Sequence, residues 1–452
     1  MKLNSKPCSF SFSIFLGAML VVAFTAVGVQ AEDWKRFLGE NGAATSADAD
    51  LPTNWDAETN VAWKTELPGP GASSPIVVGD RVFLTCYSGY GVGKGGGKDI
   101  EKLTRYLVCF DKKSGLIKWE RSVNNSGVKD EDPYKSYITQ HGYATNTPIS
   151  DGNAVYVFFG KPGLLAFDLD GNELWRKPIE HQVNETRWGS AASPILYGDQ
   201  LIVNAVEECG KIFSISKKNG EQKWEFDTQS KLAYATPNLA KNKAGETELI
   251  VAVPNKVIGL NADTGKEKWY VTNNFDNEVN GSILVDDDIV FVYGGFRSVG
   301  SMAIRTGGEG DVTKSHVLWH TRDTSYVATP VLKEGHIYWV GETGIAHCVN
   351  AETGKRIYRK RLTGVRGGRG IKFFASMVVA GDHMFAASRR SGTFVLETKP
   401  EFNLVSQNVI AGDESEFNGT PAIADDCLYI RSNKFLYCIT KNKEQGSGNQ
   451  SE

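Results

Sequence analysis

A hydroxyl residue recurs eight times along this chain, and the residues after each recurrence follow one plan. The eight starts are Ser74-Pro75, Thr147-Pro148, Ser193-Pro194, Thr236-Pro237, Ser282-Ile283, Thr329-Pro330, Ser376-Met377 and Thr420-Pro421. After a first interval of 73 residues they stand 43 to 47 residues apart. A period of that length constrains the fold more than any other feature. Each repeat is one supersecondary unit that cannot bury its apolar face alone, so the array is stable only when neighbours stack.

Each start leads into a short apolar strand such as Pro75-Ile76-Val77-Val78, then a tight turn such as Gly79-Asp80 or Gly381-Asp382. A second strand alternates apolar and polar, as in Arg81-Val82-Phe83-Leu84 and Cys427-Leu428-Tyr429-Ile430. A third reads Leu107-Val108-Cys109-Phe110-Asp111 or Leu164-Leu165-Ala166-Phe167-Asp168. A turn with Ser114-Gly115, Asn219-Gly220, Thr264-Gly265 or Thr353-Gly354 follows, and a fourth strand carries Trp119, Trp175, Trp224, Trp269 or Trp319. Period-two alternation and turn glycines make these hairpins, and no segment sustains a 3.6-residue period.

Four strands per repeat make a propeller blade. The expected fold is all-β: an eight-bladed β-propeller of four-stranded antiparallel blades over residues 61–440. The eighth repeat stops at Ile439-Thr440 after three strands. Asn60-Val61-Ala62-Trp63-Lys64-Thr65-Glu66-Leu67 supplies the fourth, so an N-terminal strand closes the ring and removes its open edges. Some repeats depart from the plan. Tyr358 replaces the tryptophan in the sixth, Leu404-Val405 stand there in the seventh, and the fifth and seventh lack the turn glycine.

The two ends are different. A basic start, Met1-Lys2-Leu3-Asn4-Ser5-Lys6, precedes an apolar run from Ile14 to Val29 that ends in Val29-Gln30-Ala31. This reads as a secretory signal over 1–31 cleaved after Ala31, with a retained membrane anchor as the alternative. Cys8 precedes the run and so is not a lipidated cysteine. The expected location is periplasmic or secreted, with an arm at 32–60, a disordered tail at 441–452, no transmembrane segment after cleavage and a monomeric state. Losing Lys2 and Lys6 takes the formal charge from −3 to −5, which argues against a nucleic-acid partner.

The repeat text resembles the PQQ-like β-propeller repeat family. Asn261-Ala262-Asp263-Thr264-Gly265-Lys266-Glu267-Lys268-Trp269 and Asn350-Ala351-Glu352-Thr353-Gly354-Lys355 carry the resemblance, which spans Val61 to Thr440. Trp34-Lys35-Arg36-Phe37-Leu38-Gly39 also resembles the start of secreted bacterial members. The family includes quinoprotein alcohol dehydrogenases and the BamB lipoprotein, a scaffold in outer-membrane protein assembly. The resemblance therefore implies fold more strongly than function. A quinoprotein would need a cradle for PQQ with calcium, often under two adjacent cysteines. No Cys-Cys dipeptide occurs and no carboxylate cluster stands out as calcium ligands, so no cofactor is expected.

Other chemistries fare no better. Cys109, Cys348 and Cys438 occupy one repeat position that elsewhere holds Ala166, Ser214, Gly259, Ala303 and Val395, so they read as small packing groups. Cys427 and Cys438 sit nearly symmetrically about a turn, which leaves a disulfide open in an exported protein. His316 and His320 fall on a strand at a spacing of about 13 Å, too far to share a metal. No GxSxG elbow occurs, and the eight hydroxyls repeat too regularly to be one nucleophile. Their expected role is local hydrogen bonding to nearby backbone.

The binding residues are therefore expected on the loops that enter each inner strand, around the channel mouth. These carry His141, Tyr143, Arg187, Trp188, Tyr234, Glu278, Asn280, Tyr326, Lys372, Phe373, Glu416 and Phe417. Loops on a rigid scaffold usually hold binding residues, and aromatics with arginine make interface anchors. The competing role for the aromatics is to plug the channel. Arg361 to Lys372, "RLTGVRGGRGIK", adds Arg366 and Arg369 with no acid, a fit for an anionic glycan or peptide. Glu207-Glu208 is expected to offset part of that charge. "SGYGVGKGGGKD" at 88–99 contains a GxGxxG, yet it leads into a strand rather than a helix and so lacks an anion-binding helix terminus. It reads as a loop insertion over the channel mouth. The sequence points to an exported, non-catalytic propeller that binds or scaffolds a protein or anionic ligand. A PQQ/calcium oxidoreductase and a carbohydrate-binding propeller are the alternatives.

Overall fold

The computed structural model describes residues 1, 33–46, 49–92, 99–124, 142–179, 188–230, 232–295, 300–366 and 370–441. The chain divides into Met1–Ala31 and Glu32–Glu452, and every blade belongs to the second unit. Eight antiparallel sheets follow one another in sequence order, each with four strands from the channel outward. Blade one runs Ile76–Val78, Arg81–Ser88, Thr104–Asp111 and Ile117–Asn124. Blade eight runs Ala422–Ala424, Cys427–Arg431 and Phe435–Ile439, and its outer strand is Val61–Glu66 from the other end of the chain. Lys64 lies opposite Tyr437 and Thr65 opposite Leu436 in that pairing. The expected ring closure is thus present.

Two blades carry a fifth strand. Thr45–Ser46, from the arm, pairs in parallel with Val378–Ala380, the inner strand of blade seven. Gly310–Asp311 leaves blade five and pairs in parallel with the outer strand of blade four at Trp269 and Tyr270. The short helix Thr313–His316 follows it, so His316 ends a helical turn instead of opening the strand Val317–Thr321.

The small repeat position has a packing cause. Cys109 lies between Phe83 on one neighbouring strand and Trp119 on the other. Those two rings meet above it with centroids 5.7 Å apart. The same pairing recurs over Ala166 with Tyr156 and Trp175 at 6.0 Å, and over Ala303 with Phe291 and Trp319 at 5.9 Å. Over Cys438 it joins Tyr429 and Trp63 at 6.0 Å. A larger side chain there would lift the rings apart. All six cysteines of the described residues are free. Cys438 faces Tyr429, which leaves Cys427 diagonal to it. The two thiols are nonetheless close enough to hydrogen-bond each other.

The tryptophans also join blades. The Trp63 indole donates to Lys112 O, Trp119 to Leu169 O and Trp175 to Lys217 O, each at 3.0 Å and each in the next blade. Trp319 does the same to Ala351 O at 2.8 Å. The turn glycine of the receiving blade makes this contact possible. A Cβ at Gly115 would stand 2.5 Å from the Trp63 ring, and one at Gly354 2.7 Å from the Trp319 ring.

Candidate functional site

The eight hydroxyls form a belt around the channel, and all but Ser74 line its cavity. Ser74 N donates to Thr147 Oγ1 at 2.9 Å, Thr147 N to Ser193 Oγ at 3.0 Å, and Ser193 N to Thr236 Oγ1 at 3.0 Å. Thr236 N donates to Ser282 Oγ at 3.2 Å, and Ser282 N to Thr329 Oγ1 at 2.9 Å. Thr329 N to Ser376 Oγ and Ser376 N to Thr420 Oγ1 continue it at 2.8 and 2.9 Å. The bonds cross from blade to blade, so the expected local role is corrected. A backbone N–H that starts one inner strand cannot reach a ladder partner, and the next blade's hydroxyl satisfies it.

The belt stops at the seam between blades eight and one, where Ser74 Oγ is buried without a hydrogen-bond partner. Arg431 of blade eight joins the two blades there. It is fully buried and donates to Thr85 O at 2.8 Å and Ser73 Oγ at 3.2 Å, both in blade one. Its guanidinium meets neutral acceptors, and burial lowers its pKa.

A cavity of about 160 Å³ lies inside the belt. The arm crosses the channel end at which the inner strands finish. Trp34 exchanges backbone hydrogen bonds with Val77, Lys35 O accepts from Ser150 N at 2.9 Å, and Asn41 O accepts from Asn238 Nδ2 at 2.9 Å. Phe37 of this arm lines the cavity. The arm therefore covers that end of the channel, which makes the lined space a cup.

Trp188, Tyr234, Tyr326, Glu278 and Asn280 all line that cup, as their place before an inner strand implies. Their loops are tied together. Tyr234 N donates to Val279 O at 3.0 Å, Asn280 Nδ2 to Tyr326 O at 3.2 Å, and Gly189 N to Glu207 Oε1 at 3.2 Å. Glu278 is only 8% exposed, and its carboxylate accepts from Trp188 and Asn280. Burial pushes its pKa up, and those two hydrogen bonds oppose the shift. Burial, with the charges of Glu278 and Glu342, raises the Tyr326 phenol to about 12.

The other expected residues lie elsewhere. Tyr143 packs against Tyr87 and Tyr90, with ring centroids 5.5 and 5.8 Å away, in a cluster that includes Leu103. The described ends of the glycine-rich insertion thus anchor on Tyr143, while 93–98 lie outside the described residues. Phe373 is core, its ring tilted against that of Phe394 at 5.8 Å, and its neighbour Phe374 faces the cup instead. Glu416 binds Arg389 at 2.5 Å and Arg390 at 2.7 Å. Burial would raise its pKa, but the two arginines hold it below the usual carboxylate range. Phe417 stacks on Tyr437 at 6.2 Å. Lys372 meets Glu342 and Arg389 through its backbone, and Arg366 N donates to Ser391 Oγ at 2.8 Å on an exposed loop. His141, Arg187 and Arg369 lie outside the described residues. Glu207 and Glu208 are buried in the helix Val206–Cys209, so they do not serve as solvent-exposed counter-charges.

Phe37, Phe374 and Asn418 line the cup without having been expected. Phe374 was one residue away from recognition, and Asn418 follows Phe417 in the same loop. Phe37 gave no periodic signal because it belongs to no repeat.

The described lining does not fit PQQ with calcium. That quinone is a tricarboxylate, and the cup presents Glu278 with no lysine or arginine beside it. No group of three His, Cys, Asp or Glu able to hold a metal occurs among the described residues.

The family model described as outer membrane protein assembly factor BamB matches residues 103–360 and 245–447. The outer membrane protein assembly factor BamB of Burkholderia pseudomallei is 22% identical over 354 residues, covering 75% of this chain and 80% of that protein. BamB from Moraxella catarrhalis has a similar structure, with a TM-score of 0.56 at 13% identity, over 84% of this chain and 98% of that one. The quinohemoprotein alcohol dehydrogenase of Comamonas testosteroni reaches 0.58 at 11% identity, over 91% and 81%. At such identities the structural likenesses show a shared fold.

Proposed function

Because the chain belongs to the family described as outer membrane protein assembly factor BamB, we propose that it is an exported, non-catalytic propeller that binds or scaffolds a protein partner through its channel-mouth face. The name of the Burkholderia relative places that protein in outer-membrane protein assembly. Carried to this chain, it implies a partner of the same kind. The observation that carries the reading is the one-ended cup, with Phe37 at its floor and Trp188, Tyr234 and Tyr326 around it. Rigid aromatics at a loop-built mouth are what interface anchors require. The exposed connector at Arg366 adds positive charge near that face.

In this reading Met1–Ala31 is removed on export to the periplasm. No helix of the described residues is long and apolar enough to cross a membrane. The test is site-specific photocrosslinking of the mature chain in a periplasmic extract. A crosslinker at Arg366 is expected to capture a discrete protein that one at Asn219, in a turn between outer strands, does not. Equal capture from both positions overturns the reading. So does dye-linked alcohol oxidation by the purified chain after addition of PQQ and calcium.

A further inference from the structure

Glu278 is the only ionisable carboxylate among the described residues lining the cup, and no lysine or arginine shares that lining. No ion pair of the described residues involves it. Two of its acceptor sites are used by Trp188 and Asn280. An ionised carboxylate has about four such sites, so it can accept further donors. Tyr234 and Tyr326 line the same space, and the backbone ties described above hold their loops to the segment that carries Glu278. Desolvating a carboxylate without a counter-charge is costly, and a bound cation repays that cost. Aromatic faces around the position attract the same charge through their quadrupoles.

We propose that the cup binds an organic cation, an alkylammonium head group seated between Trp188, Tyr234 and Tyr326 and paired with the Glu278 carboxylate. This rests on the reading of the channel mouth as the binding face and names what enters it. The size agrees: a cavity of about 150 Å³ takes a group the size of benzene, so the cup admits a head group and leaves the rest of the ligand outside. The head group belongs either to a free small molecule or to a lysine side chain on a docked protein.

The experiment is calorimetric titration of the mature chain with choline and with 3,3-dimethylbutan-1-ol, its neutral carbon isostere. N-acetyl-lysinamide is compared with N-acetyl-glutaminamide in parallel. Choline or the lysine derivative is expected to bind at least about tenfold more tightly than its neutral counterpart. Whichever cation binds better identifies the source. Glu278→Gln is expected to remove that preference with the thermal midpoint unchanged. Should that variant fold poorly, Tyr326→Leu takes its place, with the same loss expected. Equal binding of charged and neutral probes, no binding of either cation, or a Glu278→Gln chain that keeps the preference overturns the proposal. A partner captured from Arg366 alongside any of those results would leave the scaffold reading standing and remove only the cation.

Discussion

The Glu208 carboxyl is buried in the short helix Val206–Cys209, and its Oε2 has no hydrogen-bond partner. Burial raises its pKa to about 7, against an opposing hydrogen bond from Ser190. The folded chain therefore holds this proton more tightly than the unfolded chain does. Its contribution to stability is complete below the ordinary value of 4.5 and is lost as pH rises through about 7. The full effect is about 3 kcal/mol. Urea unfolding between pH 4 and pH 8 is expected to show this fall in the parent and a shallower one in Glu208→Gln. Identical slopes would place the proton elsewhere. In the sequence this glutamate is one of two adjacent acids in a loop. Neither its burial nor its lack of a partner is legible until blade two brings Gly160 and Ser190 against it.

At the scale of the element, the departures from the repeat are coupled between neighbours. In blade five the usual tight turn is replaced by a longer connector whose Gly310 pairs opposite Trp269 of blade four. Trp269 instead turns inward, donates to Glu248 Oε2 at 2.7 Å, and lies where a Cβ at Gly259 would be 2.1 Å away. That explains why this blade alone has glycine in the small position. Blade six has Tyr358 where a tryptophan is usual, and blade seven has no glycine to receive one; Tyr358 meets Phe402 edge-on at 5.7 Å. In blade seven the register places Ser406, not Leu404-Val405, at the tryptophan position. Trp55 of the arm fills the vacancy, stacked 6.2 Å from Phe385, with its backbone N–H on Asn408 Oδ1. Trp55→Ala is expected to cost about 3–4 kcal/mol in the urea unfolding free energy. A cost below about 1 kcal/mol would mean that the arm covers blade seven without supporting it.

Across the whole molecule, the belt makes each blade depend on the next. Thr236→Val removes the acceptor for the buried Ser193 N–H and is expected to cost about 1–3 kcal/mol. Ser74→Ala, at the open end of the belt, removes an oxygen that accepts nothing and is expected to cost under about 0.5 kcal/mol. Similar costs in thermal or urea unfolding would contradict the seam. Arg431 explains why the seam holds without a bond of this kind: its guanidinium reaches from blade eight to two acceptors of blade one. The arm does the remaining work. It pairs with blade seven, bonds blades one, two and four, and sets Phe37 into the cup.

The sequence by itself determined the blade count, the strands within each blade and the closing strand. These depend on local alternation, turn chemistry and a repeated spacing, which are properties of neighbouring residues. It also brought Trp188, Tyr234, Glu278, Asn280 and Tyr326 to one place, because each lies two to five residues before the hydroxyl that starts an inner strand. Only the tertiary structure decided which aromatics face the channel. Tyr143 and Phe373 satisfy the same positional rule but pack inward, and Phe374 turns outward. It also decided that the hydroxyls bond between blades, that Arg431 spans the seam, and that the arm closes one end. Each of these joins residues far apart in the chain, and a repeat pattern carries no information about what a non-repeating arm touches once the ring is closed.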